Sequence, residues 1–187
     1  QFDGLRWHAL DSGLGHSPLY NGYSALSIAV HQGQIFASGQ FVKLNGAPVQ
    51  AACYLAKWDG SHWQACGDPS LLCFLSIAND ELFATGTFDS ISGQSIDHIA
   101  RWNGNLWEQF GSPSPWHPGD REVVKTVVHF QDAYYFAGNF EDDNGGNEIL
   151  KFNNEGWHSL ENGNRGSNSY INDMVVFKNL LFVAGSF

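Results

Sequence analysis

The chain has 187 residues and a net charge of −10, with nine lysines plus arginines against nineteen acids. That length suits one domain with a sizeable core, since a chain of this size buries about 70% of its unfolded surface. So acidic a balance argues against phosphate-neutralising contact with nucleic acid and against anionic membrane surfaces, and no apolar run approaches the ~20 residues of a membrane-spanning helix.

The chain opens on Phe2-Asp-Gly4-Leu-Arg-Trp7, which returns later as the tail of a repeated pattern. A first apolar run, 25–30, is followed by a Gln32-Gly33 turn and by Phe36-Ala-Ser-Gly39-Gln-Phe41. Then come a long connection (42–52), Leu55-Ala-Lys-Trp58-Asp-Gly60 and a second tryptophan, Trp63. The second unit repeats the order with 72–78, Asn79-Asp80, Phe83-Ala-Thr-Gly86-Thr-Phe88, Ile99-Ala-Arg-Trp102-Asn-Gly104 and Trp107. The third has 123–130, Gln131-Asp132, Tyr135-Phe-Ala-Gly138-Asn-Phe140, Ile149-Leu-Lys-Phe152-Asn-Asn154 and Trp157. The chain ends on 171–177, Lys178-Asn179 and Phe182-Val-Ala-Gly185-Ser-Phe187.

The four phrase glycines stand 47, 52 and 47 residues apart. A period near fifty built from short apolar runs is the signature of a propeller-type array. Each unit reads as four strands, a to d. Strand a is innermost because it is the most continuously apolar, and Asp-Gly or Asn-Gly marks a two-residue c–d hairpin. The expected fold is all-β, a β-propeller of four-stranded antiparallel blades in one domain over 1–187. Its units run 11–66, 67–110, 111–160, and 161–187 together with 1–10. About four blades result, as a closed ring or as part of a larger propeller. Within strand b the repeated glycine predicts a bulge or a close backbone approach, and the flanking aromatics predict inter-blade core.

Strand-to-strand turns a–b and c–d are short, while d–a and b–c connections are long and leave from one common end. All six prolines fall in those long connections, so that end is the decorated one and the place to look for function. It carries His16, Tyr20, Tyr23, Trp116, His117, Asp120, Arg121, Arg165 and Tyr170. Aromatics beside Asp and Arg suit stacking on a sugar or anchoring a protein partner; the bland alternative is that they pin their own loops. The run Glu141-Asp142-Asp143-Asn144 misses the EF-hand spacing. The eight histidines are scattered without His-Glu-x-x-His or Cys-x-x-Cys, so neither metal nor cofactor is expected.

Three cysteines leave alternatives open. A two-residue Asp59-Gly60 turn sets Cys53 opposite Cys66, a disulfide candidate; Cys66–Cys73 is a rival pairing, and buried thiols are the third reading. Few charges, many Gly, Asn, Ser and Trp residues and low Lys plus Arg suit a secreted or cell-surface protein.

Taken together, Phe-Ala-x-Gly-x-Phe, the loop glycines Gly46, Gly93 and Gly145, Ile-Ala-Lys/Arg-Trp-Asp/Asn-Gly and the second tryptophan resemble a known repeat. They are similar to the kelch-like, galactose-oxidase-central-domain-like propeller repeats of secreted bacterial surface proteins and of fungal cell-polarity proteins. The resemblance covers nearly the whole chain. Departures are Ser38, Thr85, Ala137 and Ala184 where the family has a first glycine, and Phe152 in place of a tryptophan. The resemblance implies a non-catalytic module of a larger extracellular protein. The function expected is therefore glycan or protein binding, or assembly, through the long-loop face, with further repeats or a homo-oligomer as other partners. Two alternatives stand beside it: a carbohydrate-active enzyme using carboxylates on that face, and a purely structural repeat block.

Overall fold

The computed structural model describes residues 1–15, 25–112, 123–140, 149–160 and 170–186, and of 50–54 the backbone alone. The described residues form antiparallel sheets and no helix. Sheet I holds β1 (Leu14–Gly15), β2 (Ser27–His31), β3 (Gln34–Leu44), β4 (Ala47–Trp58) and β5 (Trp63–Gly67). Next come β6 (Cys73–Ala78), β7 (Glu81–Gly86), a small hairpin of β8 (Ser90–Ile91) and β9 (Gln94–Ser95), β10 (Ile99–Trp102) and β11 (Trp107–Gln109). Of these, β6, β7, β10 and β11 make sheet II. Sheet III is β12 (Val123–Phe130), β13 (Ala133–Asn139), β14 (Ile149–Asn153) and β15 (Gly156–Ser159). Last, β16 (Tyr170–Phe177) pairs with β17 (Leu180–Ser186) as a two-stranded sheet.

Sheets I to III follow the expected a–b–c–d order, and the first strands β2, β6, β12 and β16 neighbour one another in that sequence. Among the described residues β17 pairs with β16 alone, and Trp7 bridges only to Phe2. Among the described residues, then, the sheets form a series in which no strand pairing joins β17 to the segment at Phe2–Trp7.

The a–b turns behave as their residues demand. Gln32 and Gly33, Asn79 and Asp80, and Lys178 and Asn179 all take positive φ, the geometry whose twist matches the flanking strands. The c–d turns differ from expectation. Trp58 pairs with Trp63 and Trp102 with Trp107, so these two connections hold four residues rather than two, while in sheet III Asn153 pairs with Gly156 across a two-residue turn. The Asx side chain is the reason. Asp59 Oδ1 accepts from the N–H groups of Ser61 and His62 at 2.8 Å, and Asn103 Oδ1 does the same for Asn105 and Leu106 at 3.0 Å. This capped loop replaces the tight turn and lets the paired aromatics pack across the ladder, 5.6 Å apart for Trp58–Trp63 and 5.2 Å for Trp102–Trp107.

That longer turn also moves the cysteines. Leu55 pairs with Gly67 and Ala56 with Ala65, which leaves Cys66 as the extra residue of a bulge, while Cys53 stands opposite Phe41. The ladder expected to set Cys53 against Cys66 is thus shifted by two residues at the turn and by one more at this bulge, and the Cys53 side chain lies outside the described residues. The connection 42–52 is likewise strand rather than loop. It continues β3 into β4 through Asn45-Gly46, both at positive φ, and Pro48 pairs with Lys43 within it.

Three of the phrase glycines do what a strand glycine predicts. A Cβ on Gly86, Gly138 or Gly185 would come closer than 3.0 Å to a backbone carbonyl, that of Leu72, Val123 or Tyr170 respectively. The side chain is forbidden because the neighbouring main chain occupies its place.

Aromatic and aliphatic side chains fill the gaps between sheets. Ala29, Phe36 and Leu55 pack with Leu75, Leu82, Trp102 and Trp107 between sheets I and II. Phe83, Phe110, Phe136 and Leu150 do so between II and III. Two of the second tryptophans also reach back: Trp107 Nε1 donates to the Cys66 carbonyl of β5 at 2.9 Å, and Trp157 Nε1 to the Gly111 carbonyl, just past β11, at 3.0 Å. Polar groups add one further link. Arg101 lies 2.9 Å from Glu81, whose other oxygen accepts from the Tyr134 hydroxyl, with Asn79 donating to Tyr134 at 3.3 Å. Burial first, and then the Glu81 bond, raises the Tyr134 pKa.

The N-terminal segment is tied to sheet I in the same region. Leu10 packs on the cluster holding Trp63, and His62 Nδ1 meets Asp11 Oδ2 at 2.9 Å. The Asp11 bond raises the His62 pKa from its usual 6.5, and His62 lowers that of Asp11 from 3.8. A raised histidine contributes fully below its unfolded pKa and loses that contribution as pH rises through the folded value. A lowered carboxyl contributes above its unfolded pKa and loses it as pH falls. The tether is therefore complete between 3.8 and 6.5. Asp11→Asn is expected to lower the His62 pKa toward its ordinary value, with Asp59 still holding it up in part, as an NMR pH series would show; an unmoved His62 would remove Asp11 as the cause.

Candidate binding site

The inner strands carry one concavity, which lies toward their a–b turns. A groove of about 410 Å³ runs along β6, β12 and β16, lined by Ile77, Asn79, Thr126, His129, Met174 and Val176 among others. Its floor is mixed in character because strand alternation sends every second side chain of these apolar strands toward it.

At the other end of these strands, where the long connections enter, two β-bulges meet. In β12 the register shifts between Val124 and Thr126, and in β16 between Ile171 and Asp173, so Lys125 and Asn172 are the extra residues. Both bulges lie beside a phrase glycine, Gly138 or Gly185. A bulge re-aims its extra side chain, and here the two re-aimed side chains touch: Lys125 Nζ donates to Asn172 Oδ1 at 2.7 Å. The same ammonium sits 5.2 Å from the ring centroid of Tyr170, which is 41% exposed. One residue further in, Thr126 Oγ1 is 3.5 Å from Asp173 Oδ1, and that oxygen also accepts from the Met174 N–H at 2.8 Å. This end of the inner strands thus brings together a partly exposed aromatic ring with an ammonium over it and an amide, and a hydroxyl and a carboxylate one residue further in.

A second cleft, of about 450 Å³, opens between the outer strands of sheets I and II. Asp68, Gln94 and Asn105 line it together with Ile91, Leu106 and Trp107. Trp107 commits its N–H to Cys66 and is only 3% exposed, so it serves as a wall of the cleft rather than a free platform.

Of the residues singled out in the sequence, Tyr170 alone stands in the described part, at the first position of β16. His16, Tyr20, Tyr23, Trp116, His117, Asp120, Arg121 and Arg165 lie outside the described residues, as does the acidic run at 141–144. Lys125, Asn172 and Asp173 were not legible as site residues. The only signal was their nearness to the repeated glycine, since a bulge beside that glycine is what turns a strand residue outward. Among the described residues, no group of three or more His, Cys, Asp or Glu side chains gathers as a metal site. Neither a comparison with protein-family models nor one with curated proteins returned a match for this chain.

Proposed function

We propose that the chain is a non-catalytic β-propeller module, kelch-like in its repeat, that binds a glycan through its long-loop face in an extracellular setting. The a–b–c–d sheets with neighbouring first strands support the architecture, about four blades being counted from the repeat. The composition supports the setting. One observation carries the ligand class: Tyr170 is 41% exposed, with the Lys125 ammonium over its ring and Asn172 beside that ammonium. An exposed ring flanked by a donor cation and an amide matches a sugar, whose apolar face stacks on aromatics while its hydroxyls take hydrogen bonds.

A glycan array run beside a hydrolysis screen tests the reading. Binding without turnover is expected, and Tyr170→Ala should weaken it by about tenfold, the loss of an anchor worth more than 1 kcal/mol. Turnover that depends on the long-loop carboxylates would replace this reading with the carbohydrate-active one. Binding of a protein but of no glycan would reassign the ligand.

A further inference from the structure

The two bulges set the third and fourth units apart from the second. In β6, Cys73 stands opposite Gly86 and Phe74 opposite Thr85, with no residue between. In β12 and β16 one residue is inserted at that same place, Lys125 after Val124 and Asn172 after Ile171. The repeat itself does not require the insertion, since β6 pairs with its phrase strand without one. A bulge aims a side chain where a regular strand would not, and the two inserted side chains meet across neighbouring inner strands.

The pair they form presents donors only. An ammonium carries three N–H groups and no acceptor, and an amide carries one acceptor oxygen and two N–H groups. The 2.7 Å bond from Lys125 Nζ engages Asn172 Oδ1 and leaves the Nδ2 hydrogens of this exposed residue as further donors. The positive charge is also unanswered. Among the described residues Lys125 contacts the Asn172 amide and the Tyr170 ring, both neutral, and no carboxylate forms an ion pair with it. Arg101, by contrast, is paired with Glu81. Asp173, next to Asn172, keeps its Oδ1 on the Met174 N–H at 2.8 Å, with the Thr126 hydroxyl at 3.5 Å. Acids outnumber bases nineteen to nine in this chain, yet this cation has none beside it.

We infer that the site takes an acidic sugar, whose carboxylate or sulfate accepts from Lys125 Nζ and Asn172 Nδ2 while the sugar ring lies beside Tyr170. A neutral sugar placed there would strip water from the ammonium and return no counter-charge, which costs free energy. An anionic group returns it through charge-assisted hydrogen bonds, the stronger kind. The inference rests on the glycan reading above and narrows it to one class of glycan.

Calorimetric titration at fixed ionic strength with two matched pairs tests it: an oligogalacturonate against its methyl ester, and a sulfated galactan oligomer against its desulfated parent. The charged member of at least one pair should bind tighter by about tenfold or more. Preference within the first pair assigns a carboxylate and within the second a sulfate ester; either supports the inference. Lys125→Met should bring the ratio within the pair to about one, and Lys125→Arg should keep the preference. Asn172→Asp, which preserves the side-chain shape, should also abolish it by pairing the ammonium internally. Thermal melts of each variant separate loss of the site from loss of the fold. Equal binding within both pairs would overturn the inference and leave the glycan reading standing, whereas no binding of any probe or array glycan would remove both. A preference that survives Lys125→Met and Asn172→Asp would also overturn it, by placing the anion elsewhere.

Discussion

Replacing Gly138 with alanine is expected to destabilise the protein by about 3 kcal/mol or more, the upper range for overpacking. The added methyl would meet three backbone atoms, the Val123 carbonyl oxygen and carbon and the Lys125 nitrogen. None of these can swing aside as a side chain would. To admit the methyl, β12 and β13 must part at the bulge where Val124 pairs with Gly138, and both strands are held by sheets on either side. A thermal melt should fall by roughly 6–12 °C, at 2–4 °C per kcal/mol for a chain of this size. Gly185→Ala meets the same obstacle at the Tyr170 carbonyl, but β17 is an edge strand and can move outward. Its effect should be the smaller of the two. A Gly138→Ala melting point within about 2 °C of the parent would refute close backbone approach as the reason for the repeated glycine.

The second large effect is expected at Phe83. Its ring is fully buried and packs edge-on to Phe110 at 5.0 Å, with Tyr134 at 5.5 Å and Phe136 at 6.2 Å. Truncation to alanine should cost about 3–5 kcal/mol, the transfer of the ring plus the cavity it leaves. The loss falls on the joint between sheets II and III, because Phe83 of β7 and Phe110, just past β11, meet Tyr134 and Phe136 of β13 across that gap. Phe83→Leu, which keeps most of the volume, should cost less than half as much. Denaturant titration separates the cases: a lower midpoint with unchanged slope is expected for both. Equal losses for the two variants would assign the effect to something other than the cavity.

Much of the architecture was written in local chemistry. The a–b turns follow from residues such as Asn79-Asp80 and Lys178-Asn179, which tolerate positive φ where the strand twist requires it. The inner strands were legible because they are continuously apolar and flanked by those turns. Where reading failed, a side chain offered the backbone a second choice. Asp59 and Asn103 looked like the first residue of a tight hairpin turn, but each caps a four-residue loop instead. That two-residue difference re-registers the outer strand and moves Cys66 into a bulge. The stretch 42–52, with Asn45-Gly46 and Pro48, reads as loop for want of apolar alternation. It becomes strand because Phe41 and Leu44 are buried against Trp63 and Leu10.

The candidate binding site shows the same division. Tyr170 could be picked out as an aromatic at the end of a long connection, but its companions could not. Lys125 and Asn172 are 47 residues apart and meet only because two bulges, one beside Gly138 and one beside Gly185, turn them toward each other.

By itself the sequence determined the repeat, the four-strand unit, the buried aromatic stripes and the need for glycine in strand b. Those depend on contacts and torsions confined to a few neighbouring residues, which every copy of the unit shares. Only the tertiary structure decided which equivalent positions differ. Ile28 and Leu75 hold the same place in their units, and Trp7 the same place as Trp63, yet one of each pair is exposed and the other buried. The reason is that burial here is conferred by the adjacent sheet, and the two ends of the series have a neighbour on one side only.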